Sequence, residues 1–262
     1  MNIVTKDGRE GFGGSAFAEG GSFGTVRGAA TLLGGSERAS ARVTIAGVDT
    51  RGFSAADEAD GNTEDDGFRN ITISSKARAR PLATLELEGV FRYSDSANEF
   101  DGFAPPTFAF GDSDDSGETR DLSLAGVATH TTLGGRLENR FRITYFDSAI
   151  VNQGGGFVTF DAQGDRLSYE YQSTAHPIEA VTLIGGFEFE REKAETNSTQ
   201  GVLSVSTTTF FGLAQVRPTD FLTLEGGFRV DNNSAFGSET TVSGSASLRI
   251  PGTGLSFRGS YA

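Results

Sequence analysis

Apolar and charged positions alternate with a period of two along most of the chain. In 84–93, Leu85, Leu87, Gly89, Phe91 and Tyr93 fall on one face, and Thr84, Glu86, Glu88, Val90 and Arg92 on the other. Segment 136–145 sets Leu137, Asn139, Phe141, Ile143 and Tyr145 against Arg136, Glu138, Arg140, Arg142 and Thr144. Segments 181–190 and 222–230 repeat the arrangement with Val181, Leu183, Phe187 and Phe189, then Leu222, Leu224, Phe228 and Val230, on the apolar side. Successive strand side chains point to opposite faces, so each segment predicts a strand with one apolar and one charged face. No segment shows a helical period. The alternation holds for about 10 residues at a time, whereas a globular strand averages about 5–6 and a tilted strand crossing a bilayer needs about 9–11. About 13 strands are predicted, near 11–20, 24–33, 38–50, 68–79, 84–95, 118–129, 135–147, 164–173, 180–191, 203–216, 221–231, 239–249 and 254–262.

The connections alternate in kind. One set is short and carries proline, at Arg80-Pro81, His176-Pro177, Arg217-Pro218 and Ile250-Pro251. The other is longer and rich in Asp, Asn, Ser and Gly, at 51–67, 96–117, 148–163, 192–202 and 232–238. Short turns at one end and long polar loops at the other are the asymmetry of an outer-membrane barrel. A repeat keeps the register: Pro81, Pro177 and Pro218 are each followed eight residues on by Gly89, Gly185 and Gly226, and ten on by Phe91, Phe187 and Phe228. Tyr93, Tyr145, Phe146, Tyr169, Tyr171 and Tyr261 gather toward predicted strand ends, where barrels place aromatic girdles. A soluble β-sandwich also alternates apolar and polar, but neither the strand length nor the loop asymmetry suits it.

Composition narrows the function classes. The 262 residues carry 22 Lys+Arg against 35 Asp+Glu, a net charge of −13. Nucleic-acid binding needs Lys and Arg to neutralise phosphates, so no nucleic-acid partner is expected. Zero Cys excludes disulfides, thiolate zinc sites and Cys nucleophiles. An aromatic content of 10% argues against wholesale disorder. No run approaches the roughly 18 apolar residues of a spanning helix.

Gly20-Gly21-Ser22-Phe23-Gly24 matches the nucleophile-elbow pattern, but the elbow needs a following helix and a His partner. Residues 24–33 read as a strand and the two histidines, His130 and His176, fall near turns, so no enzyme is expected. Charged positions of the polar face (Glu86, Glu88, Arg92, Glu138, Arg140, Arg142, Glu188, Arg229) could line a solute path, but the simpler expectation is that they pair across strands or contact a domain seated inside the barrel. Loop 51–67 holds Asp57, Glu58, Asp60, Glu64, Asp65 and Asp66, and loop 96–117 holds Glu99, Asp101, Asp112, Asp114 and Asp115, with Glu118 following. Carboxylates on two neighbouring loops suit Ca²⁺, which takes six to eight oxygens; a solvated acidic surface is the plain alternative.

Residues 2–6 (NIVTK) resemble the last strand of the plug domain of TonB-dependent outer-membrane receptors, 11–27 (GFGGSAFAEGGSFGTVR) their first barrel hairpin, and 254–262 (GLSFRGSYA) a later barrel strand. Within that family, 61–68 (GNTEDDGF), 93–103 (YSDSANEFDGF) and 229–237 (RVDNNSAFG) are similar to the cobalamin receptor group. The resemblance implies an all-β fold, an antiparallel transmembrane barrel of which about 13 of roughly 22 strands are present. It implies the end of a plug at 1–6, the N-terminal part of the barrel at 7–262, and a fragment of a longer, monomeric barrel. It implies TonB-dependent uptake of a scarce chelate in the outer membrane of a Gram-negative bacterium, cobalamin first and a ferric siderophore next. The expected partners are outer-membrane lipid, that ligand, and TonB through a region upstream of the barrel. The alternatives are a passive pore or structural barrel, and a soluble secreted β-protein. Motif positions carry possible calcium ligands over to Glu64, Asp66, Asp101 and Glu118; Ser54 stands where the family pattern has an Asp.

Overall fold

The computed structural model describes residues 10–103 and 108–262. It is all-β: one antiparallel sheet of 13 strands, each paired with its neighbours in chain order. The strands are β1 Gly11–Gly20, β2 Val26–Gly35, β3 Ala39–Thr50, β4 Phe68–Leu82, β5 Leu85–Gly102, β6 Gly111–Thr132 and β7 Leu137–Gly154. Then follow β8 Phe157–Ile178, β9 Val181–Thr196, β10 Leu203–Thr219, β11 Leu222–Asn233, β12 Gly237–Arg249 and β13 Ser256–Tyr261. The order β1 to β13 does not close on itself. Two single 3₁₀ turns, Glu58–Asp60 and Leu133–Gly135, are the helical pieces among the described residues. The expected plug segment 1–6 lies outside the described residues.

The register puts like with like. Leu87, Gly89, Phe91 and Tyr93 of β5 face Ala128, Gly126, Leu124 and Leu122 of β6, while Glu88 faces Arg78 of β4. One face is therefore apolar and the other charged. The sheet has a single layer, and Ala56 is the one buried hydrophobic residue among those described. Leu87, Phe141, Leu183, Leu224 and Phe228, all on the apolar face, are 41–52% exposed. A patch of this extent demands cover, and the described residues supply no second layer. An apolar face to lipid and a polar face to the lumen is the arrangement of a transmembrane barrel.

Three prolines explain a recurrent irregularity. Pro81, Pro177 and Pro218 lie in register shifts between Ala79 and Leu82, Ala175 and Ile178, and Val216 and Thr219. Proline has no N–H for a ladder bond, so it is tolerated at bulges and strand ends. The residue before each still donates: Arg80 N–H to the Arg38 carbonyl (2.6 Å), His176 to Arg136 (2.7 Å) and Arg217 to Ala180 (2.7 Å).

The long loops expected at 96–117 and 148–163 are largely strand. β5 and β6 continue until Gly102 pairs with Gly111, and β7 and β8 meet at a two-residue turn of Gly155 and Gly156, both with positive φ (59° and 81°). Positive φ at both central residues marks the tight hairpin turn that glycine permits. Polar residues serve paired strands here as well as loops. Ser96 donates to the Thr119 carbonyl (3.4 Å) and Ser148 to Asp121 (2.7 Å). Tyr93 and Tyr145 consequently sit mid-strand on the apolar face; Phe146 faces the other way, opposite Arg166 and Ser123.

Candidate functional site

Loop 51–67, between β3 and β4, is the longest irregular connection among the described residues. Acids of β5 and β6 hold it down. One oxygen of Asp101 accepts from the Ser54 hydroxyl (2.8 Å) and the Ala56 N–H (2.8 Å). One oxygen of Asp112 accepts from the N–H groups of Thr63 (2.7 Å) and Glu64 (3.1 Å), and the Asp112 N–H donates to Asn62 (3.1 Å). One oxygen of Asp66 accepts from Ala55 N–H (3.1 Å). Within the loop, Asp57 caps the 3₁₀ turn through Ala59 N–H (2.9 Å).

The second oxygens are the informative ones. The Oδ1 atoms of Asp66, Asp101 and Asp112 are shielded from solvent and have no hydrogen-bond partner, and Asp101 as a residue is only 9% exposed. Oxygens of Glu64, Asp101 and Asp112 all lie within 4.8 Å of one another. Two ligands on opposite sides of a Ca²⁺ ion, each at about 2.4 Å, are separated by about that distance. Burial, and then the charges of Asp112, Asp114, Asp66 and Asp101, push the Glu64 carboxyl above its ordinary range. Burial also raises Asp66, against the Ala55 N–H that lowers it, with Asp101 and Glu99 adding repulsion. A half-buried carboxylate cluster with spare lone pairs is costly. The donor set is all oxygen, which suits a hard divalent cation rather than a thiolate or imidazole metal.

Of the four residues expected to bind calcium, Glu64 and Asp101 come together and Asp66 lies against Asp101. Glu118 lies elsewhere. It pairs with Ala97 on β5, four residues short of Asp101, roughly 13 Å along the strand, and its carboxylate contacts Arg120 (3.4 Å). Asp112 stands in the cluster instead. In the sequence it is one acid of a run; in the structure its N–H meets Asn62 across the loops. Ser54 is not a lost ligand position alone: its hydroxyl orients Asp101.

The charged polar face forms cross-strand pairs in part. Glu88 reaches Lys76 (3.1 Å) and Arg78 (3.6 Å), Glu86 reaches Arg78 (3.5 Å) and Arg80 (2.7 Å), and Arg142 reaches Glu170 (3.2 Å); Arg229 instead pairs along its own strand with Asp231 (2.8 Å). The nucleophile-elbow match is a hairpin turn between β1 and β2, closed by Gly21 N–H to the Thr25 carbonyl (2.8 Å) and followed by a strand. His130 and His176 are at the opposite end of the strands from it.

No model of a known protein family matches the chain, and no curated protein does. Solved structures do. The siderophore receptor PirA from Pseudomonas aeruginosa superposes with a TM-score of 0.70 at 17% identity, over 95% of this chain and 42% of that one. A mutant ferric enterobactin receptor, PfeA, from the same organism gives 0.68 at 14% identity, over 96% and 43%. The copper transporter OprC gives 0.63 at 13% identity, over 97% and 45%. The chain thus spans less than half the length of these structures and shares their fold, which in them serves receptors and a transporter rather than enzymes.

Proposed function

We propose that this chain forms part of a TonB-dependent receptor in the outer membrane of a Gram-negative bacterium, which takes a scarce chelate inward without changing it chemically. The observation that carries this reading is the single-layer sheet, with a lipid-type face and a charged face, whose fold is that of receptors for iron chelates. The names of those receptors favour a ferric siderophore; the loop likeness at 61–68 and 93–103 keeps cobalamin as the second ligand. A passive pore would need no energy, which separates it from this reading.

The test is uptake in a Gram-negative host lacking its own receptors and carrying the gene with its flanking sequence. Accumulation of labelled ferric siderophore or cobalamin, abolished in a host without TonB, is the expected result. Accumulation that persists without TonB would make the barrel a pore.

We also propose that Glu64, Asp101 and Asp112, with Asp66 beside them, hold a divalent cation of the calcium type and so order loop 51–67 for the ligand. The three solvent-shielded, unpartnered oxygens support this reading. Terbium luminescence, competed by Ca²⁺, should appear with the unaltered chain and fall about tenfold or more in Asp112→Asn, which preserves the size of the side chain. Equal luminescence in Asp112→Asn would remove the site.

A further inference from the structure

One row of the polar face departs from the charge around it. Phe68 of β4, Asn98 of β5, Gly117 of β6, Asn152 of β7 and Phe160 of β8 stand directly opposite one another across five strands. The order is aromatic, amide, glycine, amide, aromatic. Gly117 is buried, and a Cβ there would meet the amide oxygens of Asn98 and Asn152 at 3.0 and 3.1 Å. The two amides therefore lean toward one point from opposite sides, into room that only a glycine leaves. Neither amide has a side-chain hydrogen bond among the described residues. Phe68 and Phe160, 40% and 37% exposed, bound the row about 19 Å apart, four strand spacings. The two rows next toward the proline turns hold one charged residue, Asp121, whose carboxylate accepts from Ser148 (2.7 Å). On the loop side, the Asp115 carboxylate lies against Gly102 and Gly154, one oxygen to each. Arg69, Glu99 and Glu118 adjoin the row in sequence but belong to the opposite face.

We propose that this row is a subsite for uncharged, hydroxyl-bearing rings of sugar type on the solute. An Asn amide both donates and accepts, and so does a hydroxyl, so the two amides match a pair of ring hydroxyls. The negative face of an aromatic ring attracts the C–H groups of a saturated one, which gives the solute's rings a place against Phe68 and Phe160. The Asp115 carboxylate only accepts; it suits a hydroxyl and repels an anion. No Arg or Lys stands in these rows to draw an anion in. The spacing of the two phenylalanines favours a solute of more than one ring. The inference rests on the reading of this face as bordering a solute path. It names the part of the solute that the wall holds, the uncharged periphery rather than the metal or its acidic ligands.

The test is calorimetric titration with maltotetraose. The protein is made with its flanking sequence and purified from outer membranes in a detergent without a sugar head group. Binding that is indifferent to added salt is expected, and citrate should not compete. Phe160→Leu removes a ring and keeps apolar bulk, Asn98→Ala removes one amide, and Gly117→Ala fills the room between the amides. Each should weaken maltotetraose binding about tenfold. Thr241→Ala, on the polar face of β12 opposite Arg229, should leave it unchanged. Heat-dependent electrophoretic migration reports folding, and any one folded variant of the three carries the comparison. No binding to the unaltered protein, equal binding in the folded variants, or binding lost in salt overturns the subsite. Uptake of a chelate without maltotetraose binding would remove the subsite and leave the receptor reading standing. Maltotetraose binding that the substitutions weaken, with no TonB-dependent uptake, would do the reverse.

Discussion

The polar faces of β3–β5 and of β8–β9 are built the same way and carry opposite charge. Both present long side chains at alternate positions, and both have an apolar reverse. On β3–β5 the cations outnumber the acids, and the same strands rise to a loop whose acids cluster around Asp101. On β8–β9 the acids dominate, Glu170 stands directly opposite Glu188, and the β8 end away from the proline bulge turns back on Gly155 and Gly156 with no loop to organise. The difference teaches that the two faces of each strand answer to separate demands. The apolar side is set by what covers it; the polar side is free to vary in sign.

The largest expected effect falls on what the two regions share. Ile143→Arg places a charge on the apolar face and should cost about 2–4 kcal/mol near the bilayer midplane. Thr144→Arg, the next residue and on the polar face, should cost under about 1 kcal/mol. Equilibrium unfolding in lipid vesicles distinguishes them, and equal costs would refute the assignment of faces.

Next comes the loop that only the β3–β5 side possesses. Asp101→Ala strips the acceptor from Ser54 and Ala56 and should cost the loop about 1–3 kcal/mol locally. Faster hydrogen exchange at the Ala56 amide is the readout; unchanged protection would mean that the carboxylate does not hold the loop.

Smaller changes should run in opposite directions on the two walls. Glu88→Gln removes one partner of Lys76 and one of Arg78 and should destabilise by about 0.5–1 kcal/mol. Glu188→Gln relieves the Glu170–Glu188 opposition and should stabilise by about 0.2–0.5 kcal/mol. Shifts of the same sign would contradict the charge contrast.

The smallest effect is on pH. Glu64 and Asp66 hold protons more tightly folded than unfolded. Without a divalent cation, the contribution of these two groups to loop stability is full below the ordinary carboxylate pKa. It is lost as pH rises through their raised values. With calcium present the dependence reverses, because protons compete with the ion. Amide exchange of residues 54–66 between pH 4 and 7, with and without calcium, checks both signs; parallel profiles would argue against a cation at the cluster.

Much of this was legible in the residues themselves. Alternation at Leu85–Tyr93 and Leu137–Tyr145 determined strands, their number and which side chains share a face, because a strand has one periodicity and every side chain obeys it. The proline–glycine–phenylalanine repeat marked the turn end, but Pro81, Pro177 and Pro218 lie in irregular last residues of β4, β8 and β10 rather than in the connections themselves. The full strand length was not legible. Ser96, Asn98 and Ser148 look like loop residues until their cross-strand partners are known, since a polar residue serves a strand as well as a turn. The acids of loop 51–67 announced a carboxylate-rich end. Only the pairing of β5 with β6 chose Asp112 over Glu118, because register decides which of several equivalent acids meet, and register is a property of two strands rather than of one.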